Sequence, residues 1–258
     1  MVDGVYVLNL REAVDRKEAL TELLERQKLL KITNWVTAID GDFLFGEVSK
    51  DKVIPEYSFP YHSDVWLPEY IETDYDLVEC NKTTIMASGK EVAIGLGHLK
   101  MWEAFLASDA KHALFLEDDA YFKDTLKYEI KYFLRILPED WDMVYLDGFL
   151  TPSARTSVCC RDVDRIDWGI LRLSGYMLSR SGAKKLLEGL PIIGAVDIWA
   201  NYQFKDMNVF RSTARLVSQN RWDFQSTNTW SFMDKFRRKS KPTTTEAPLD
   251  AIDETNPD

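Results

Sequence analysis

Cysteine, histidine and long apolar runs are all scarce in this chain. Three cysteines in 258 residues (Cys80, Cys159 and Cys160) are too few for a disulfide framework, and neighbours in sequence pair only with strain. A reducing compartment is the expectation. Only His62, His98 and His112 carry imidazoles, and zinc-ligand spacing is lacking. No stretch approaches the roughly 20 apolar residues of a membrane-spanning helix. Met1-Val2-Asp3-Gly4 has neither the basic flank nor the apolar stretch of a secretory signal, so a cytoplasmic location is expected. The sequon Asn81-Lys82-Thr83 would matter only in an exported chain. Positive charge is short as well: 42 acids against 32 bases leave −10, which argues against a nucleic-acid partner. A phosphate-cradling GxxxxGK[ST] is absent, and Gly95 and Gly97 follow a helical pattern rather than a strand, unlike a dinucleotide fingerprint. No serine, cysteine or threonine sits in a nucleophile setting. No internal repeat is visible.

What is present is an ordinary globular balance, 45% hydrophobic and 29% charged, long enough for one large domain and a tail. Gly4 to Leu10 reads as a buried strand, Asp15 to Leu30 as a helix capped by Asp15, and Trp35 to Ile39 as a second strand stopped by Asp40-Gly41. Strand, helix, strand at this spacing predicts a parallel βαβ unit. Residues 42–84 carry Pro55, Pro60 and Pro68 among many aromatics and read as an irregular excursion that closes over a ligand or packs as a satellite cluster. Helical spacing returns from Lys90 to Asp109, a strand over His112 to Leu116, a helix over Asp124 to Leu137 and a strand over Met143 to Leu146. A polar loop carries the cysteine pair. One or two strands over Arg165 to Leu178 precede a helix over Ser181 to Leu190 capped by Ser181, a helix from Asp197 to Met207 and a short strand over Asn208 to Arg211. Residues 1–232 form the expected domain. Residues 233–258 form a basic, then acidic tail too polar to fold alone; its five bases between Lys235 and Lys241 read as a solvated helix end or as a contact for an anionic surface.

The strongest local signal is Ala113-Leu-Phe-Leu-Glu-Asp-Asp119. In an open α/β sheet ligands gather at the carboxyl ends of parallel strands, and three acids there repel one another unless a cation sits among them. Oxygen ligands of this kind suit Mg²⁺ or Mn²⁺; a solvated turn is the plainer alternative. Asp40-Gly41-Asp42 ends another strand and reads as a turn or as a second wall of the same crevice. His98 lies within an apolar helix as a buried, hydrogen-bonded imidazole or as a phosphate or sugar contact, and Lys100 is a point charge for a diphosphate or simply exposed. By spacing alone, Asp197 caps its own helix.

Taken in order, Val5 to Leu10 with Asp15-Arg16, Ala38-Ile-Asp-Gly41, Glu91 to Trp102, Ala113 to Asp119, Trp141 to Gly148, Gly175 to Leu187 and Val196-Asp197 resemble the family 25 glycosyltransferases. That group includes lipopolysaccharide hexosyltransferases and procollagen galactosyltransferases. The resemblance implies an α/β, GT-A type fold, Rossmann-like, with a mixed, mostly parallel central sheet flanked by helices. It also implies a UDP-hexose donor carrying galactose or glucose, a saccharide or glycoprotein acceptor, Mn²⁺ or Mg²⁺, and inversion at the anomeric carbon. On that likeness Asp119 is the leading metal ligand with Glu117 beside it, and Glu117 or Asp118 faces ribose or sugar. Asn9, Leu10, Arg16 and Asp40 border the uridine, His98 and Lys100 lie near the diphosphate or sugar, and Asp197 is the general base, with Asp147 next in line. The family often has serine where this chain has Gly97. Many GT-A enzymes place a late histidine on the metal, whereas none follows His112 here; either the metal is held weakly or Gln219 or Asn220 completes the site through an oxygen. A metal-dependent nucleotide-sugar or nucleotide hydrolase and a non-catalytic nucleotide-sugar-binding module are the alternatives.

Overall fold

A computed structural model describes residues 2–44, 48–66 and 82–219. Cys80, Asn81, Asn220 and the tail lie outside the described residues.

The chain enters through β1 (Gly4–Asn9), six residues all buried. Side chains on a strand alternate, so Val5 and Val7 join one core and Tyr6 and Leu8 the other. α1 (Val14–Arg26) returns along the first face on Leu20, Leu23 and Leu24. Its N-cap is Ala13, with Asp15 inside the first turn rather than capping it. The chain leaves helical geometry at Lys28, where φ is 56°. β2 (Thr33–Thr37) then pairs parallel to β1, Val5 opposite Thr33, which completes the expected βαβ unit.

The excursion holds more order than its composition suggested. β3 (Val53–Ile54), β4 (Glu56–Ser58), α2 (Phe59–Trp66) and β5 (Thr84–Met86) follow, and Val53, Phe59 and Val65 are fully buried. These elements are too short for either periodicity to show. α3 (Gly89–Ala107) starts with a capping box in which Ser88 accepts from the Glu91 N–H and Glu91 accepts in return from the Ser88 N–H. Its far end is held by Arg180, whose guanidinium donates to the carbonyls of Leu106, Ser108 and Ala110.

β6 (His112–Glu117) leads through a turn into β7 (Ala120–Phe122), then α4 (Leu126–Ile136) and β8 (Met143–Tyr145). The expected polar loop is instead β9 (Phe149–Cys160), an edge strand whose outer residues are largely exposed, Val158 at 83%. An edge strand with one paired side has no need of a hydrophobic alternation. β10 (Val163–Leu171), β11 (Gly175–Ser179), α5 (Arg180–Glu188), β12 (Ile192–Ile193), α6 (Val196–Gln203), β13 (Val209–Ser212) and β14 (Val217–Gln219) complete the described chain. α5 is capped by Ser179, which accepts from the Gly182 N–H, and not by Ser181.

Eight strands form one sheet in the order β2-β1-β6-β11-β8-β13-β10-β9. β10 and β11 run against the other six, so the sheet is mixed but mostly parallel. α1 and α4 cover one face; α3, α5 and α6 cover the other. This is the α/β, Rossmann-like class that the sequence led us to expect. β1 and β6 lie side by side and parallel, so their carboxyl ends open on the same edge. No helix among the described residues is long and apolar enough to cross a membrane.

Candidate active site

At that edge lies a cavity of about 430 Å³, within the usual range for small-molecule sites. Its floor is the end of β6 and the turn behind it, Glu117, Asp118 and Asp119. One wall comes from Leu8, Leu10 and Arg16 with Asp40, Gly41 and Asp42 after β2. The other comes from the Arg172-Leu173-Ser174 link between β10 and β11 and from Ala195 to Asp197 at the start of α6. The two acidic dipeptide signals do share one crevice, because parallel neighbours end together.

The three acids are not equivalent. Asp118 accepts from Asn9 Nδ2 at 3.0 Å and from Arg16 Nη1 at 3.1 Å, so its charge is answered within the protein. Glu117 Oε1 lies 3.4 Å from His98 Nε2. Asp119 is left with Oδ1 buried and with no hydrogen-bond partner among the described residues. Burial and then the charge of Glu117 raise its pKa to about 7; Arg16 pulls the other way, and Asp118 adds a further push.

Asp40 caps a single 3₁₀ turn by accepting from the Asp42 N–H at 2.9 Å, so the turn reading holds for it even as it lines the cavity. Asp42 pairs with Lys90 Nζ at 3.2 Å. Glycine at 41 is required by close approach: a Cβ there would lie 2.4 Å from the Lys90 Cα.

Asp197 sits across the cavity, half-buried, in the first turn of α6. Its Oδ2 accepts from the Arg172 N–H at 3.3 Å and its Oδ1 from the Ile198 N–H at 2.9 Å, so it does part of the capping expected by spacing. Burial pushes its pKa up, those two N–H bonds pull it back, and the charges of Glu117 and Glu91 raise it further. Arg172 adopts a left-handed φ of 76°, and its N–H meets Asp197. Asn201, wholly buried, fixes the same helix to β10: its Oδ1 accepts from Gly169 and Ile170, and its Nδ2 donates to the carbonyls of Ile170 and Asp197. Both donors and both acceptor positions of the amide are used.

Of the ten residues singled out from the sequence, the cavity wall holds Leu10, Arg16, Asp40, Glu117, Asp118, Asp119 and Asp197. The other three do not line the cavity. Asn9 lies under the wall, bonded to Asp118. His98 is fully buried behind Glu117 rather than open to a ligand. Lys100 is exposed and does not line the cavity; six residues of α3, roughly 9 Å, separate it from the cavity-lining Ile94. Asp147, the reserve base, is fully buried: Ser174 Oγ donates to its Oδ2 at 2.7 Å and Arg215 Nε stands 3.4 Å from its Oδ1. Sequence reasoning passed over Lys90, Arg172 and Asn201. Lys90 could have been found from the capping box that starts its helix, but Arg172 acts here through a backbone N–H, which leaves no signature.

Among the described residues no group of three His, Cys, Asp or Glu side chains is arranged to hold a metal ion. A fully protein-built metal cage is therefore missing from this part of the chain. The orphaned oxygen of Asp119, with Glu117 beside it, fits the other pattern, in which one or two carboxylates hold a hard cation and substrate phosphates complete its shell.

An open α/β sheet with an acid-lined cleft at the carboxyl ends of its parallel strands belongs to the broad class of Rossmann-like proteins that take ligands at that edge. Residues 2–200 match the model of glycosyltransferase family 25 (LPS biosynthesis protein), and the chain belongs to that family. Procollagen galactosyltransferase 1 of Danio rerio is 27% identical over 203 residues, which span 74% of this chain and 29% of that protein. The probable inactive glycosyltransferase 25 family member 3 of Bos taurus is 24% identical over 198 residues, again 74% and 29%. The chain thus spans under a third of the length of these curated relatives. Among solved structures, the mannose-1-phosphate geranyltransferase of Thermus thermophilus aligns with a TM-score of 0.40 and 11% identity, over 81% of this chain and 72% of that one.

Proposed function

We propose that this chain transfers a hexose, galactose or glucose, from a UDP-sugar to a hydroxyl of a saccharide or glycoprotein acceptor, with inversion. The observation that carries the reading is the pairing of Asp119 and Asp197 across one cavity, the first with an unanswered buried oxygen and the second with a raised pKa. Charge supports it. Among the described residues seven carboxylates and three basic side chains line the cavity, so a dianionic diphosphate enters only with a counter-cation.

A divalent cation, Mn²⁺ or Mg²⁺, held by Asp119, would neutralise the diphosphate and the charge that grows on it as the glycosidic bond breaks. The chain's own side chains do the rest. Leu10, Arg16 and Asp40 border the space for the nucleoside. Asn9 and Arg16 hold Asp118 away from competition with Asp119. Asp197 accepts the acceptor hydroxyl's proton while that oxygen bonds to the anomeric carbon from the face opposite UDP. The electron pair of the broken C–O bond leaves with the diphosphate. A carboxylate made more basic by burial suits that task.

The test is a screen of UDP-hexoses for Mn²⁺-dependent thermal stabilisation, followed by product analysis with simple saccharide acceptors. Transfer that EDTA abolishes and Mn²⁺ restores is expected. Nucleotide breakdown with no glycoside product would favour the hydrolase. UDP binding indifferent to Mn²⁺ and EDTA would favour a non-catalytic module.

A further inference from the structure

His98 is 0% exposed, in the middle of α3, and it is neither in the cavity nor part of the apolar core around it. Its two ring nitrogens are spoken for. Nδ1 lies 2.8 Å from the Tyr176 hydroxyl, and the same hydroxyl lies 2.8 Å from Trp102 Nε1. Nε2 faces Glu117 Oε1 at 3.4 Å. Tyr176 is fully buried, so this hydroxyl has no water to turn to.

The direction of this chain follows from donor counting. An indole N–H can only donate, so the Tyr176 oxygen accepts from Trp102. The single phenolic proton then has one remaining partner, His98 Nδ1. Were Nδ1 protonated instead, that phenolic proton would be buried without an acceptor, at a cost of about 1–3 kcal/mol. With Nδ1 accepting, the ring's proton sits on Nε2 and points at the Glu117 carboxylate. The opposite tautomer would set a nitrogen lone pair against a carboxylate oxygen. One polarity satisfies every group: Trp102 to Tyr176 to His98 to Glu117.

We propose that His98 is a positioning residue, fixed in its Nε2–H form by Tyr176 and Trp102, which turns one oxygen of Glu117 inward and leaves the other to accept a hydroxyl of the bound hexose. Glu117 thereby reads the sugar while Asp119 serves the cation. The hexose contact rests on the glycosyltransferase reading above; the hydrogen-bond polarity does not.

Two measurements separate them. The chain has three histidines, so ¹⁵N-imidazole NMR, assigned by the loss of one signal set in His98→Gln, reads the tautomer directly. A proton on Nε2 with a bare Nδ1 is expected; a proton on Nδ1 overturns the proposal whatever the activity. In kinetics, His98→Ala is expected to lower kcat/KM for the UDP-hexose by roughly 10- to 100-fold, the usual loss when a partner that orients a site ligand is removed. The affinity for UDP with Mn²⁺, a ligand without a hexose, should stay at the wild-type value. His98→Gln, which keeps an N–H near Nε2, should lose less than His98→Ala, and Glu117→Gln should add nothing to His98→Ala. A parallel loss of UDP affinity, or additive losses with Glu117→Gln, would overturn the positioning role. Should His98→Ala not fold, Tyr176→Phe keeps the ring, and it must both mix the tautomers and reduce kcat/KM; a pure Nε2–H tautomer with normal turnover refutes the relay. If wild-type protein turns over no UDP-hexose, the function falls and the NMR experiment still decides the polarity.

Discussion

Asp119→Asn should stabilise the metal-free protein at neutral and alkaline pH. The folded state raises this carboxyl from 3.8 to about 7. Between those values the folded chain holds a proton that the unfolded chain has released, so stability falls as pH rises from about 4 to about 7 and is level above. At 1.36 kcal/mol per pKa unit the full effect is about 4 kcal/mol; because the group is half-buried beside an open cavity, screening brings the expected figure to about 2–3 kcal/mol. Asparagine carries no charge to bury. The difference in unfolding free energy, variant minus wild type, should be near zero at pH 4 and reach about 2–3 kcal/mol at pH 8. In a domain of this size that is a rise in Tm of about 5–10 °C. Urea unfolding at pH 4, 6 and 8 with EDTA present measures it. Adding Mn²⁺ with UDP should stabilise wild type and leave the variant where it is. A variant that is less stable at pH 8, or a difference that does not change with pH, would show that Asp119 is held by a partner and is not kept short of one.

Three further outcomes follow from the same geometry. Asp197→Asn should retain UDP binding and lose transfer by about 10²- to 10⁴-fold; because the Asp197 pKa is raised, wild-type kcat should fall as pH drops through a value above the ordinary carboxylate range, and a limb at that ordinary range would dismiss it as base. Gly97→Ser sets a Cβ 2.5 Å from Leu8 Cδ2, so chemical unfolding should report a loss of about 1–3 kcal/mol; Leu8→Val should recover part of it, and additive losses would mean that the contact is not the cause. Gly182→Ala places a Cβ 2.1 Å from the Asp142 carbonyl oxygen, where α5 meets the residue before β8 at backbone distance; a loss above about 2 kcal/mol is expected, and a neutral result would show that α5 can back away.

How much of this could be read beforehand depends on which part of each residue acts. β1, β6 and β8 were plain in the sequence because a parallel strand covered on both faces must be apolar throughout. β9 was missed because an edge strand makes no such demand, and β3, β4 and β7 are too short to show a period. The acid triplet was legible as a site for the same reason that β6 was legible as a strand: it sits where a buried parallel strand must end. The division of labour within it was not. Three consecutive carboxylates look alike in sequence, and what distinguishes them is supplied from 19 to 109 positions away, by Asn9 and Arg16 on Asp118 and by His98 on Glu117. Asp119 is marked out by what its neighbours have already taken. The same holds for Asp197, whose setting depends on a backbone N–H of Arg172 and on an asparagine amide, groups that every chain carries in quantity. Sequence therefore locates a charged site through the strands that expose it. It cannot rank the charges, because that ranking is set by distant side-chain and backbone donors whose placement is a product of the fold.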